Sequence, residues 1–304
     1  MIHYQENYQL NKQKWDACIA KSFNGIIYAY SWYLDIVSPG WKGLVEDDYI
    51  SVMPLCSRKK IGISYLFQPF FTQQHGVFST AKLTEDKTNE FLNAIPNTFK
   101  LIEINLNTFN KTNDSTFTIE KKLNIELHLI PSYENISKNC SQNHQRNIKK
   151  SHQNGLVISH QANIQDVIDI FKANRGKDIE TFRRKDYETL TKLIEHCSNA
   201  GIGHTIGVFN SNNTLCAGAF FIESNNKVIF IFSGANEEAK EKGAMFFLLD
   251  SFIKENAQKN ITLDFEGSND ENLARFYKGF GSKECVYLHL RRNRLPFFIK
   301  WLKK

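Results

Sequence analysis

The chain has 304 residues, 41% hydrophobic and 23% charged, with 24 phenylalanines. That is an ordinary globular balance with enough apolar material for a full core, which excludes collagen-like, low-complexity and disordered classes. Lys plus Arg number 38 against 32 Asp plus Glu, a net charge of +6; this excess is too mild for a dedicated nucleic-acid binder, and DNA is not an expected partner.

Met1-Ile2-His3-Tyr4-Gln5-Glu6-Asn7 offers no basic segment followed by an apolar run. Apolar stretches such as Val228–Phe232 fall far short of the ~20 residues of a membrane helix. A cytoplasmic protein without an integral membrane segment is expected. The six cysteines (18, 56, 140, 197, 216 and 285) form no C-x-x-C pair, and the nine histidines form no H-E-x-x-H motif. Neither a disulfide framework nor a bound metal is expected.

Length alone suggests two domains. In the first half, Ser31–Val37 reads as helix, and Leu44-Val45 and Tyr49–Leu55 as two strands about a turn at Asp47-Asp48. Gln68–Gly76 is dense in aromatics and amides, and reads either as the lining of a groove or as a packed loop with Pro69 at a strand edge. Lys87–Ile95 follows as helix, then Leu101–Leu106 and Ile125–Ile130 as strands.

The second half is clearer. Ile164, Val167, Ile168 and Phe171 recur at helical spacing, and a second helix runs from about Tyr187 to Ser198. Thr205–Phe209 and Thr214–Ile222 flank Asn210-Ser211-Asn212-Asn213, a hairpin signal. Lys227–Phe232 is a third strand, broken by Ser233-Gly234-Ala235-Asn236. Helix over Lys242–Gln258, strand over Ile261–Phe265, helix over Asp270–Phe280 and strand over Glu284–Leu290 complete the order. An antiparallel hairpin opens this α/β arrangement, which excludes a doubly wound sheet. Gly43–Ile50 and Gly207–Leu215 share a strand-turn-strand pattern, and duplication explains it economically.

The strongest chemical signal is Leu263-Asp264-Phe265-Glu266-Gly267-Ser268, a strand ending in two carboxylates, followed by a helix that begins on an Asn/Asp cap and closes at Gly281. Glu266, at the strand end beside Gly267, is the candidate base. Arg146, Lys149 and Lys150 share one face of a helix whose one apolar residue is Ile148, either a solvated connector or a surface that meets an anion.

Asp270 to Gly281 resembles N-x-x-A-x-x-F-Y-x-x-x-G of the GNAT N-acyltransferase superfamily, with Leu273 in the alanine's place and Ser282 where phenylalanine follows the glycine. Arg146-Asn147-Ile148-Lys149-Lys150 with Gly155 resembles the R-x-I-[RK]-K-x-x-x-x-G signature of FemAB proteins, and Asp264-Phe265-Glu266-Gly267 is similar to their D-F-x-G. The likeness covers 137–292 and, more loosely, 32–78. It implies two tandem GNAT-like mixed-sheet domains, a degenerate one over 1–135 and a better preserved one over 136–304, with the tail at 295–304 packing back on the first.

The resemblance also implies an N-acyltransferase that moves an acyl group from acyl-CoA to a small-molecule or peptide amine. Tyr277 would then be the acid that protonates the leaving thiolate, and Glu266 the base. Ser233 and Gly234 would offer backbone N–H groups to the carbonyl, and Lys240, Lys242, Gly243 and Ala244 stand where the superfamily's pyrophosphate loop, [QR]-x-x-G-x-[GA], holds the cofactor. Arg146, Lys150, Phe182, Arg183 and Asp264 are candidates for substrate contact, Asp264 being also the residue expected to hold the turn after its strand. Two alternatives stand beside this one. The first is an aminoacyl-tRNA-dependent transferase acting on a cell-wall precursor, disfavoured by the lack of a long helical-hairpin insertion. The second is a non-catalytic binding protein with a degenerate cofactor site.

Overall fold

The computed structural model describes residues 1–178, 182–267 and 270–296. It divides into two compact units, Met1–Lys122 with the returning segment from Val286, and Leu123–Cys285. Contacts therefore divide the chain ahead of the expected 135/136 boundary, because Glu126–His128 pair in register with Thr262–Asp264 of the second unit. Residues 286–296 lie with the first unit, where Leu290 pairs with Ile104. The tail from 297 onward lies outside the described residues.

In the first unit, β1 (Ile2–Gln5), β2 (Lys42–Glu46), β3 (Ser51–Leu55) and β6 (Phe78–Ser79) form an antiparallel sheet in that order. β4 (Ser57–Lys60) and β5 (Ile63–Leu66) form a hairpin, and β7 (Phe99–Asn105) joins β5 in parallel. Its described α-helices are α1 (Lys12–Lys21), α2 (Ser31–Val37) and α3 (Glu85–Asn93). The sequence reading misses α1 and the β4–β5 hairpin, whose polar residues carry little apolar period. Leu44, Met53, Phe91, Ile102 and Leu290 meet in one core.

The amide-rich loop at 68–76 is a packed loop. Asn105 Nδ2 donates to the Gln73 carbonyl at 2.7 Å, Asn107 Nδ2 to the His75 carbonyl at 3.0 Å, and Asn110 Oδ1 accepts from Val77 N–H at 2.7 Å. His75 is 3% exposed, and its Nε2 faces the Tyr28 carbonyl at 3.3 Å, so this nitrogen carries the proton. Burial pulls its pKa down to about 4. The folded value lies below the unfolded one, so its stabilising contribution is full above pH ~6.5 and lost as pH falls. Urea unfolding at pH 7 and pH 4 should differ by on the order of 3 kcal/mol from this group, a difference that His75→Gln removes.

β8 (Thr118–His128) leads from the first unit into the second, and β14 (Lys283–Asn293) leads back. The second unit's sheet runs β8, β13 (Thr262–Asp264), β12 (Lys227–Ala235), β11 (Leu215–Ser224), β10 (Gly203–Phe209) and β9 (Val157–Ser159). Every pairing is antiparallel except β12 with β13. The expected hairpin at 205–222 is present, its turn held by Asn210 Oδ1, which accepts from Asn212 and Thr214 N–H at 3.0 Å each.

Alternate residues of β11 point to opposite faces. Gly218 and Phe220 meet α6 (Ile164–Ala173) and α7 (Arg184–Asn199), whereas Phe221 stacks on Phe252 of α9 (Ala244–Asn256) with ring centroids 4.3 Å apart. Helices thus cover both faces of a mixed sheet. The helix expected over 242–258 is α9, and Gly243, φ +76°, separates it from α8 (Glu237–Lys242), a short helix where the sequence reads only a break after the strand. The remaining helices are α4 (Tyr133–Lys138), α5 (Gln142–Gln153) and α10 (Glu271–Lys278). Among the described residues no helix is long and apolar enough to cross a membrane.

Candidate active site

β12 and β13 pair through only three positions, Lys227 with Thr262, Val228 with Leu263 and Ile229 with Asp264. β13 then ends while β12 continues to Ala235, and a cavity of about 1120 Å³ opens where the strands part. Against β11, Phe230 and Phe232 have consecutive partners, so Ile231 is the extra residue of a β-bulge that turns the backbone at the cavity wall. The strand does not stop at Ser233 as its sequence suggests. Gly234 lies within it because a Cβ there would stand 2.4 Å from the Val167 carbonyl of α6. The glycine serves a close helix approach and breaks nothing.

The opposite wall is the turn after β13. Glu266 has φ +57° and Gly267 φ +41°, a left-handed pair. Asp264 holds this turn from beneath: its Oδ1 accepts from Glu266 N–H at 2.8 Å, and its Oδ2 accepts from Asn124 Nδ2 at 3.1 Å and Lys227 Nζ at 2.9 Å. Lys227 also donates to Glu126 at 2.6 Å. Asp264 is 1% exposed, so it orders the site and does not face a substrate. Gly267 is required by geometry, since a Cβ would lie 2.2 Å from the Leu123 carbonyl and 2.5 Å from Asn124 Cα. Gly267→Ala should cost about 1–3 kcal/mol in thermal or urea unfolding, because β8 must shift to admit the methyl.

α10 begins on Asp270, whose Oδ1 accepts from Asn272 N–H at 2.9 Å and Leu273 N–H at 3.3 Å. The helix turns Tyr277 inward, where its ring stacks on Phe265 with centroids 4.8 Å apart. Burial, and secondarily the Glu266 charge, push the phenol above its ordinary range, so it stays protonated at neutral pH. Glu266 and Tyr277 both line the cavity.

His144 was missed by sequence reasoning. Its Nε2 donates to the Phe276 carbonyl at 2.7 Å, and Ser141 Oγ lies 2.8 Å from Nδ1. A Cβ on Gly279 would fall inside the imidazole, 1.8 Å from one of its carbons. α5 is therefore docked against the turn after α10, and is not the solvated connector that its polarity suggests. The available signal was Ser141, a helix cap three residues before His144 that accepts its N–H at 3.3 Å.

Of the other expected site residues, Ser233, Gly234 and Lys240 line the cavity. Phe182 reaches it indirectly, through Phe171 at 6.0 Å between centroids. Arg146 and Lys150 are exposed on α5 and Arg183 precedes α7; none of the three lines the cavity. Lys242 is bound to Glu238 at 2.7 Å, and Ala244 is buried.

These residues do not fit a pyrophosphate. The first turn after β12 carries Glu237 and Glu238, and Asn236 already accepts its Ala239 N–H at 2.9 Å. Gly243 N–H bonds to the Ala239 carbonyl, and the place of a Gly243 Cβ is 2.8 Å from the Asn147 carbonyl of α5. The glycine admits a neighbouring helix where the loop pattern places phosphate.

Solved structures share this architecture. FemX superposes with a TM-score of 0.64 at 10% identity, over 94% of this chain and 96% of its own. The chain shares the fold of FemX. The C-terminal domain of a putative lysylphosphatidylglycerol synthetase from Agrobacterium fabrum gives 0.59 at 9% identity, over 97% of this chain and 95% of that one. L-PGS from Bacillus licheniformis gives 0.54 at 10%, over 95% and 93%. No protein-family model matches the chain, and no curated protein matches it in sequence. Among the described residues no cluster of His, Cys, Asp or Glu is arranged to hold a metal ion.

Proposed function

We propose that the protein is an acyltransferase that joins an acyl group from an activated ester or thioester to an amine. The observation that carries the reading is the parting of β12 from β13 with Glu266 and Tyr277 both on the resulting cavity. The amine attacks the donor carbonyl, forming a C–N bond. Backbone N–H groups near Phe232-Ser233-Gly234 stabilise the oxyanion, at ~3 kcal/mol per donor in comparable sites. Glu266 accepts the proton from the attacking nitrogen. As the C–O or C–S bond breaks, Tyr277 gives its proton to the leaving atom.

The lack of fit to pyrophosphate argues against coenzyme A as the donor. One observation favours a tRNA ester as donor: Arg146, Lys149 and Lys150 are exposed on α5, with no ion pair among the described residues. The test offers radiolabelled aminoacyl-tRNA and acetyl-CoA separately, with peptide amines as acceptors. Label in a base-stable amide from the tRNA ester alone, with binding that weakens steeply between about 50 and 200 mM salt, is the expected result. Label from neither donor would overturn the transferase reading, and label from acetyl-CoA would overturn the choice of donor.

A further inference from the structure

The walls of this cavity differ in kind from its rim. Phe230, Phe265 and Tyr277 pack together at its base, with centroids 4.8 to 6.4 Å apart. Phe171 of α6 closes one side against Phe232 at 4.8 Å, and Leu273, 40% exposed on α10, closes another. The two cations at the rim are already engaged, Lys240 with Glu237 at 2.8 Å and Arg175 with Asp270 at 3.6 Å. An anionic group entering the cavity would meet paired cations and the Glu266, Glu237 and Asp270 carboxylates, whereas a hydrocarbon group meets Leu273 and the margins of the largely buried rings.

We propose that the cavity selects an apolar group, a hydrocarbon chain of medium length, which lies on Phe230, Phe265 and Tyr277 between Phe171 and Leu273. This rests on the acyl-transfer reading of the same cavity. It adds that recognition comes from burial of methylene groups, each worth roughly fourfold in affinity, and not from a charged handle. The chain belongs either to the acyl donor or to the amine acceptor, and both present the same chemistry to these walls.

The test is titration calorimetry on the full chain with four probes: the acetyl and decanoyl thioesters of N-acetylcysteamine, which carry no phosphate, and propylamine and decylamine. The expected result is affinity at least about tenfold tighter for the decyl member of one pair. The pair that shows the preference names the source of the chain. Leu273→Glu, at an exposed helix position, should abolish the preference without changing thermal unfolding; Phe171→Ala is the second variant and should weaken the longer probe alone. Equal affinities within both pairs would overturn the proposal, as would a preference that neither variant reduces. A chain-length preference with no transfer from the tRNA ester or from either thioester would keep this inference and overturn the transferase reading. Transfer of acetyl and decanoyl groups at equal rates and affinities would do the reverse.

Discussion

Glu266→Gln should lower the rate of acyl transfer about 10²–10⁴-fold, the usual contribution of a positioned general base. The fold should be unaffected, because the Asp264 Oδ1 bond that orders the turn goes to the residue 266 backbone N–H, which glutamine retains. The pH–rate profile checks the role: the acidic limb of the wild type, where a carboxylate gains its proton, should disappear in the variant. Tyr277→Phe should also slow transfer, most with poor leaving groups, since the ring's stacking on Phe265 survives and only the proton is lost. Full turnover by both variants with a true donor would remove these roles.

Lys227→Met should destabilise the protein by about 3–5 kcal/mol in urea unfolding, the typical cost of breaking a buried ion pair from one side. Lys227 Nζ lies 2.9 Å from Asp264 Oδ2 and 2.6 Å from Glu126 Oε1. Burial disfavours its charge, but the two carboxylates outweigh that and hold its pKa above the ordinary lysine range. The raised value means that the pair stabilises fully at neutral pH and weakens only in strong alkali. Removing the ammonium leaves Asp264 and Glu126 facing each other with no counter-charge between them. Lys227→Met with Asp264→Asn and Glu126→Gln should recover much of the loss, because no unpaired charge then remains. A single-variant loss below about 1 kcal/mol would mean that water reaches the network.

Much of this architecture is written locally. The helical spacing of Ile164, Val167, Ile168 and Phe171 becomes α6, and Asn210–Asn213 becomes the hairpin turn. Asp264-Phe265-Glu266-Gly267 with Asp270 becomes strand, turn and capped helix. These features depend on residues a few positions apart, so side-chain periodicity, turn preference and capping fix them. Glu266 and Tyr277 were legible as neighbours of one cavity for the same reason, being adjacent to that strand end and on that helix.

The misplaced residues all depend on distant partners. Gly234 and Gly243 read as a strand break and a phosphate loop, yet each admits the backbone of another helix, at Val167 and Asn147. A glycine pattern states that something must approach closely, and only packing decides whether that is phosphate or protein. Asp264 read both as a turn holder, which its bond from Glu266 N–H bears out, and as a substrate contact, because nothing near it in sequence reveals Lys227, Asn124 and Glu126 beneath it. His144 looked like one polar residue of a polar helix until Gly279 made room for its ring. The sequence by itself determined most elements of the second unit, the fold class and the strand-turn-helix that carries the candidate acid and base. Tertiary structure alone decided which polar groups are buried and which glycines admit a neighbouring helix, because ion pairing and close backbone approach are set by chain segments that meet only after folding.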